Sequence, residues 1–125
     1  MAEALTPKPV VLAVDDDAQA LARIERELCD RYDKGYRVVC NASAEEGIVE
    51  LERCKADGED VALVLADRWM AETSGSEFLE RARLIFPTAK RVLLIAWRAW
   101  GDRRSAEAIL RAMTLGGIDS YLIKP

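Results

Sequence analysis

Short unbroken apolar runs alternate along this chain with longer stretches in which apolar residues return every third or fourth position. Residues 9–14 (PVVLAV) are valine-rich and predict a strand buried on both faces. Three carboxylates, Asp15, Asp16 and Asp17, stop that run; Asp17 suits a helix N-cap. Leu21, Ile24, Leu28 and Tyr32 then recur at helical spacing, with Glu and Arg between them. Residues 36–40 (YRVVC) predict a second strand. Ser43 and Glu46 form a capping-box pattern that opens a helix through Ile48 and Leu51, broken at Asp57-Gly58. Residues 61–66 (VALVLA) predict a third buried strand, which stops at Asp67. After a loop containing Gly75, a third helix carries Phe78, Leu79, Ala82 and Ile85 and is ended by Pro87. Residues 91–96 (RVLLIA) predict strand four. Ala106, Ile109, Leu110 and Met113 predict a fourth helix, stopped by Gly116-Gly117. Residues 121–123 predict strand five, followed by Lys124-Pro125.

Strands alternating with helices imply an α/β domain around a parallel sheet with right-handed crossovers. With neither G-x-G-x-x-G nor G-x-x-x-x-G-K-[ST] present, the pattern fits a flavodoxin-like three-layer fold, its five strands ordered 2-1-3-4-5. The 125 residues are enough for one domain. Residues 1–8 are expected to be an N-terminal tail and residues 9–125 the domain.

Composition narrows the chemistry. Histidine is absent, which removes Ser-His-Asp and Cys-His nucleophile systems and histidine-ligated zinc. Cys29, Cys40 and Cys54 lack C-x-x-C spacing and read as reduced, structural residues. The net charge of -4 disfavours direct binding of nucleic acid. No apolar run reaches the roughly 18 residues of a membrane span, and residues 1–9 lack the apolar core of a signal peptide. A cytoplasmic location with no membrane partner is the expectation.

In an open parallel sheet, ligands bind beyond the carboxyl ends of the strands. Asp15 and Asp16 end strand one, Asp67 ends strand three, and Lys124 ends strand five. Strands one and three are neighbours in the expected order, so the carboxylates converge. Clustered carboxylates need a counter-charge, and a hard cation with oxygen ligands, Mg²⁺, supplies it. Carboxylates, Mg²⁺ and a lysine are what phosphoryl transfer requires.

The segments VLAVDDD (11–17), LVLADRWM (63–70), SGSEFL (74–79), RVLLIA (91–96) and DSYLIKP (119–125) resemble a response-regulator receiver domain of two-component signalling, chemotaxis-regulator-like. The resemblance runs from Pro9 onward. It implies that Asp67 accepts a phosphoryl group from a sensor histidine kinase or phosphotransfer protein. It also implies that Asp16, Asp67 and the backbone carbonyl of Trp69 hold Mg²⁺, that Asp15 acts on the metal through water, and that Lys124 contacts the phosphoryl oxygens. Tyr121 matches the aromatic switch. Such a chain is a phosphoprotein that switches an output partner, with only self-catalysed transfer and hydrolysis.

Three departures qualify the match. Ile95 stands where strand four is expected to end in Ser or Thr, and Ala71 follows Met70 where the family has Pro. Trp69 and Trp97 flank the expected mouth of the site, where with Ile95 they would form an apolar lid that slows phosphorylation and hydrolysis. The family's last helix, which follows its Lys-Pro, is absent from this chain; the expectation is a fragment, or a partner or homodimer covering that sheet face. Two other functions fit parts of the pattern. One is a pseudo-receiver acting as a protein-interaction module. The other is a haloacid-dehalogenase-like phosphatase, whose Asp-x-Asp spacing Asp15 and Asp17 share.

Overall fold

The structure is a computed structural model that describes residues 8–32, 34–68, 70, 73–95 and 119–123. Its elements run β1 (Val10–Val14), α1 (Ala18–Tyr32), β2 (Arg37–Asn41), α2 (Ala44–Ala56), β3 (Val61–Asp67), α3 (Gly75–Ile85), β4 (Lys90–Ile95) and β5 (Ser120–Ile123). The strands form one sheet in the order β2-β1-β3-β4-β5, and every pairing is parallel. This is the expected flavodoxin-like α/β fold. The expected fourth helix lies outside the described residues. Among those residues, no helix is long and apolar enough to cross a membrane.

The two-residue period of each strand sorts its side chains between two cores. Val10, Leu12 and Val14 of β1, Val64 and Ala66 of β3, and Leu93 and Ile95 of β4 meet α2 and α3 through Ile48, Leu51, Phe78 and Leu79. Val11 and Ala13, Leu65, and Val92 and Leu94 face the other way, where Ile24 and Leu28 of α1 pack. β1 is therefore apolar throughout, and β3 and β4 are apolar over residues 61–66 and 92–95, which is why each reads as a continuous hydrophobic run.

Helix ends follow local chemistry. The Asp17 carboxylate accepts from the N–H groups of Gln19 (3.0 Å) and Ala20 (3.4 Å), capping α1. Ser43 accepts from the Glu46 N–H (3.2 Å) while its hydroxyl donates to the Glu46 carboxylate (3.1 Å). Ser74 caps α3 through the Glu77 N–H (3.1 Å). After α2 the chain reverses at Gly58, where φ is 73°, a conformation that suits glycine. Arg53 bridges Glu50, Asp57 and Glu59, and Arg37 of β2 reaches Glu59 as well. This network ties the amino end of β2 to the carboxyl end of α2. Its arginines and Asp57 are well exposed while Glu50 and Glu59 are partly sheltered, so screening keeps its contribution small beside that of packing.

Candidate functional site

Sheet register brings the carboxylates together. Val14 pairs with Ala66, so the residues that follow, Asp15 and Asp67, emerge side by side at the carboxyl edge. Parity puts them on one face: Asp15 is two positions beyond Ala13, and Asp67 two beyond Leu65, both α1-side residues. Oxygens of Asp15, Asp16 and Asp67 lie within 4.8 Å of one another. Asp15 is fully buried and Asp67 is 8% exposed, while Asp16 is open to solvent.

Backbone contacts fix the cluster. The Asp15 N–H donates to the Asn41 carbonyl (3.2 Å), and its carboxylate accepts from the Asp17 N–H (2.9 Å). Beyond Asp67, the Arg68 N–H donates to Leu94 and its carbonyl accepts from Gly75, at 2.9 and 2.8 Å. The strand end that carries Asp67 is thus held between β4 and the start of α3. The donor set is oxygen only, two carboxylates are sheltered, and the third faces water. That arrangement fits Mg²⁺, which takes one or two carboxylates and keeps several waters.

Two residues at the site escaped sequence reasoning. Gly75 read as a loop glycine, yet it is the first residue of α3. A β-carbon there would collide with the backbone carbonyl of Asp67 and lie 2.8 Å from Leu93 Cδ1. The S-G that opens an apolar-periodic helix was the available signal. Arg68, which no sequence pattern singles out, is buried at the 8% level.

The structure relocates one expected residue. Ile95 is fully buried among the α2- and α3-side residues, in line with Leu93, whereas Asp67 belongs to the α1 side. Its side chain therefore packs in the core and does not line the mouth of the site; the expectation of an Ile95-containing lid is corrected. The sequence position whose parity matches Asp67 is the next one, Ala96, which lies outside the described residues. So do Trp69, Ala71, Trp97, Lys124 and Pro125. Tyr121 is placed only as a backbone position in β5, opposite Leu93. Asp17 caps α1 and is not among the carboxylates that converge at the site.

No family model matches the sequence. The hydrogenase transcriptional regulatory protein HoxA of Bradyrhizobium diazoefficiens is 30% identical over 118 residues, covering 92% of this chain and 21% of that protein. The chain thus spans about a fifth of the length of that curated relative. An uncharacterized protein from Neptuniibacter caesariensis superposes with a TM-score of 0.76 at 26% identity, covering 96% of this chain and 79% of that one. A CheY-like response regulator receiver domain protein from Methanospirillum hungatei gives a TM-score of 0.66 at 27% identity, covering 94% and 82%. One from Clostridium thermocellum gives 0.67 at 25%, with the same coverage. In fold, sheet order and sequence, the chain is similar to response-regulator receiver domains.

Proposed function

We propose that residues 9–125 form a receiver domain that acts as a phosphorylation-dependent signalling module. In this reading Asp67 accepts a phosphoryl group from the phosphohistidine of a sensor kinase or phosphotransfer protein. The observation that carries it is the convergence of Asp15, Asp16 and Asp67 within 4.8 Å. Asp16, Asp67 and the backbone carbonyl of Trp69 would hold Mg²⁺ directly, with Asp15 acting through water. When bound, the cation neutralises charge that develops on the transferred group.

The chain's own residues supply positioning. The Asp67 carboxylate presents an oxygen for in-line attack on phosphorus, and the backbone of the next residue, Arg68, is held from both sides by Leu94 and Gly75. Lys124, which follows β5, pairs with the phosphoryl oxygens. Attack forms the aspartyl O–P bond as the donor's N–P bond breaks, and the imidazole leaves neutral with a proton taken from water. Hydrolysis returns the carboxylate, so the domain acts as a switch and not as a turnover enzyme. The switching step is muted here, because neither Ile95 nor the parity-matched Ala96 offers the hydroxyl that would draw the strand-four loop toward the phosphoryl group.

The test is intact-mass spectrometry of the chain after incubation with Mg²⁺ and acetyl phosphate. The reading expects one added phosphoryl group, dependent on Mg²⁺ and abolished by Asp16→Ala. An unchanged mass under all conditions favours the pseudo-receiver instead.

A further inference from the structure

Resting on the reading that Asp67 is phosphorylated and Lys124 meets the phosphoryl group, we propose that Asp119 and Arg91 are positioning residues for Lys124. They form a clamp at the entry of β5 that sets its register.

Among the described residues, β5 is an edge strand of four residues that pairs with β4 alone. So short a parallel pairing holds its register weakly by itself. At its entry one residue engages both backbone groups of Arg91. The Asp119 N–H donates to the Arg91 carbonyl at 2.8 Å. The Asp119 carboxylate accepts from the Arg91 N–H, also at 2.8 Å. In a parallel ladder those two bonds come from two different residues of the neighbouring strand. Here the side chain replaces the second and closes the ladder at a single alignment.

The Arg91 guanidinium reinforces it. That side chain is 8% exposed and lies 3.9 Å from the same carboxylate oxygen. It also reaches the carbonyls of Ala89 (3.4 Å) and Pro87 (3.5 Å) in the turn before β4. A buried guanidinium demands its anion, so Asp119 is bound to one place on the sheet.

The consequence lies at the other end of the strand. From the clamp the register runs Val92 with Ser120 to Ile95 with Ile123, and Leu94 pairs with Asp67 across β4. Lys124 is the next residue in sequence. A slip of one residue would exchange the faces of β5. A slip of two would carry its end about 7 Å along the sheet edge, beyond hydrogen-bonding reach of a group on Asp67.

A double-mutant cycle on the full chain tests this, with the rate of acyl-phosphate formation from acetyl phosphate and Mg²⁺ as the readout. Asp119→Ala should slow phosphorylation about tenfold or more while leaving the Mg²⁺ concentration for half-maximal rate unchanged. Asp119→Asn, which keeps the acceptor for the Arg91 N–H but removes the anion from the guanidinium, should restore only part of the rate. In a Lys124→Ala background, Asp119→Ala should cost nothing further. If Asp119→Ala does not fold, Asp119→Glu takes its place in the cycle, because it keeps the charge and displaces the carboxylate by one methylene. Equal slowing with and without Lys124, or no slowing at all, overturns the clamp and leaves the phosphoacceptor reading standing. A wild-type chain that forms no acyl phosphate overturns both.

Discussion

Gly75→Ala probes the joint between the fold and the site. The added methyl would strike the carbonyl oxygen of Asp67 and approach Leu93 Cδ1 to 2.8 Å. Leu93 can rotate, but a backbone carbonyl at a strand end cannot. Relief therefore requires α3 to move off β3, stretching the 2.8 Å bond from the Gly75 N–H to Arg68. Overpacking of this kind costs about 1–3 kcal/mol, and the helix preference of alanine recovers at most about 1 kcal/mol. A net loss of about 2 kcal/mol is expected, or roughly 8 °C in Tm for a domain of this size. Gly35→Ala is the control: nothing lies within 4 Å of its β-carbon position, and alanine there should gain about 0.4–1 kcal/mol by restricting the unfolded chain. Urea titrations should show the two midpoints moving in opposite directions with unchanged slopes. Because the clash falls on Asp67, Gly75→Ala should also weaken Mg²⁺ binding. A Gly75→Ala chain as stable as Gly35→Ala, with normal Mg²⁺ affinity, would refute the argument.

Three further outcomes follow from the geometry. With carboxylate oxygens within 4.8 Å, repulsion at an effective dielectric near 20 is about 3.5 kcal/mol per pair before salt and solvent screening; Asp67→Asn should stabilise the metal-free chain by about 1–2 kcal/mol in urea titrations, and Mg²⁺ should erase that advantage. Ile95→Thr buries a hydroxyl in the α2–α3 core and should cost about 2–3 kcal/mol without enlarging any response to phosphorylation, whereas Ala96→Thr should enlarge it; paired NMR spectra with and without phosphodonor decide between them. Hydrogen bonds from Arg53 and Arg37 hold Glu50 and Glu59 respectively below the ordinary value of 4.5, so their stabilising effect is complete above that value and fades as pH falls through the lowered one; Glu50→Gln/Glu59→Gln should flatten the acid side of the stability–pH curve, and an unaltered curve would show the network contributes nothing.

Much of this was legible in residue order. Strands buried on both faces left runs such as VVLAV and VALVLAD with no polar position until the sheet edge, so the strand ends and the carboxylates announced each other. Caps were equally plain, since Asp17 and Ser43 sit where orphan N–H groups need acceptors. Ile95 went astray because a residue-type match was applied without counting parity from Leu93, and one position on a strand changes the face. For Gly75 the S-G pattern marks a helix start but not the role, which is a close approach between elements distant in sequence. The Arg91–Asp119 contact is likewise non-local, and strand propensity treats arginine only as an edge residue.

Borohydride reduction of the chain after treatment with acetyl phosphate and Mg²⁺, followed by peptide mapping, tests the central claim most directly. Reduction converts an aspartyl phosphate to homoserine and marks the acceptor. The account predicts homoserine at position 67 alone, lost when Mg²⁺ is withheld. Homoserine at Asp15, Asp16 or Asp17, or at no position, would contradict it.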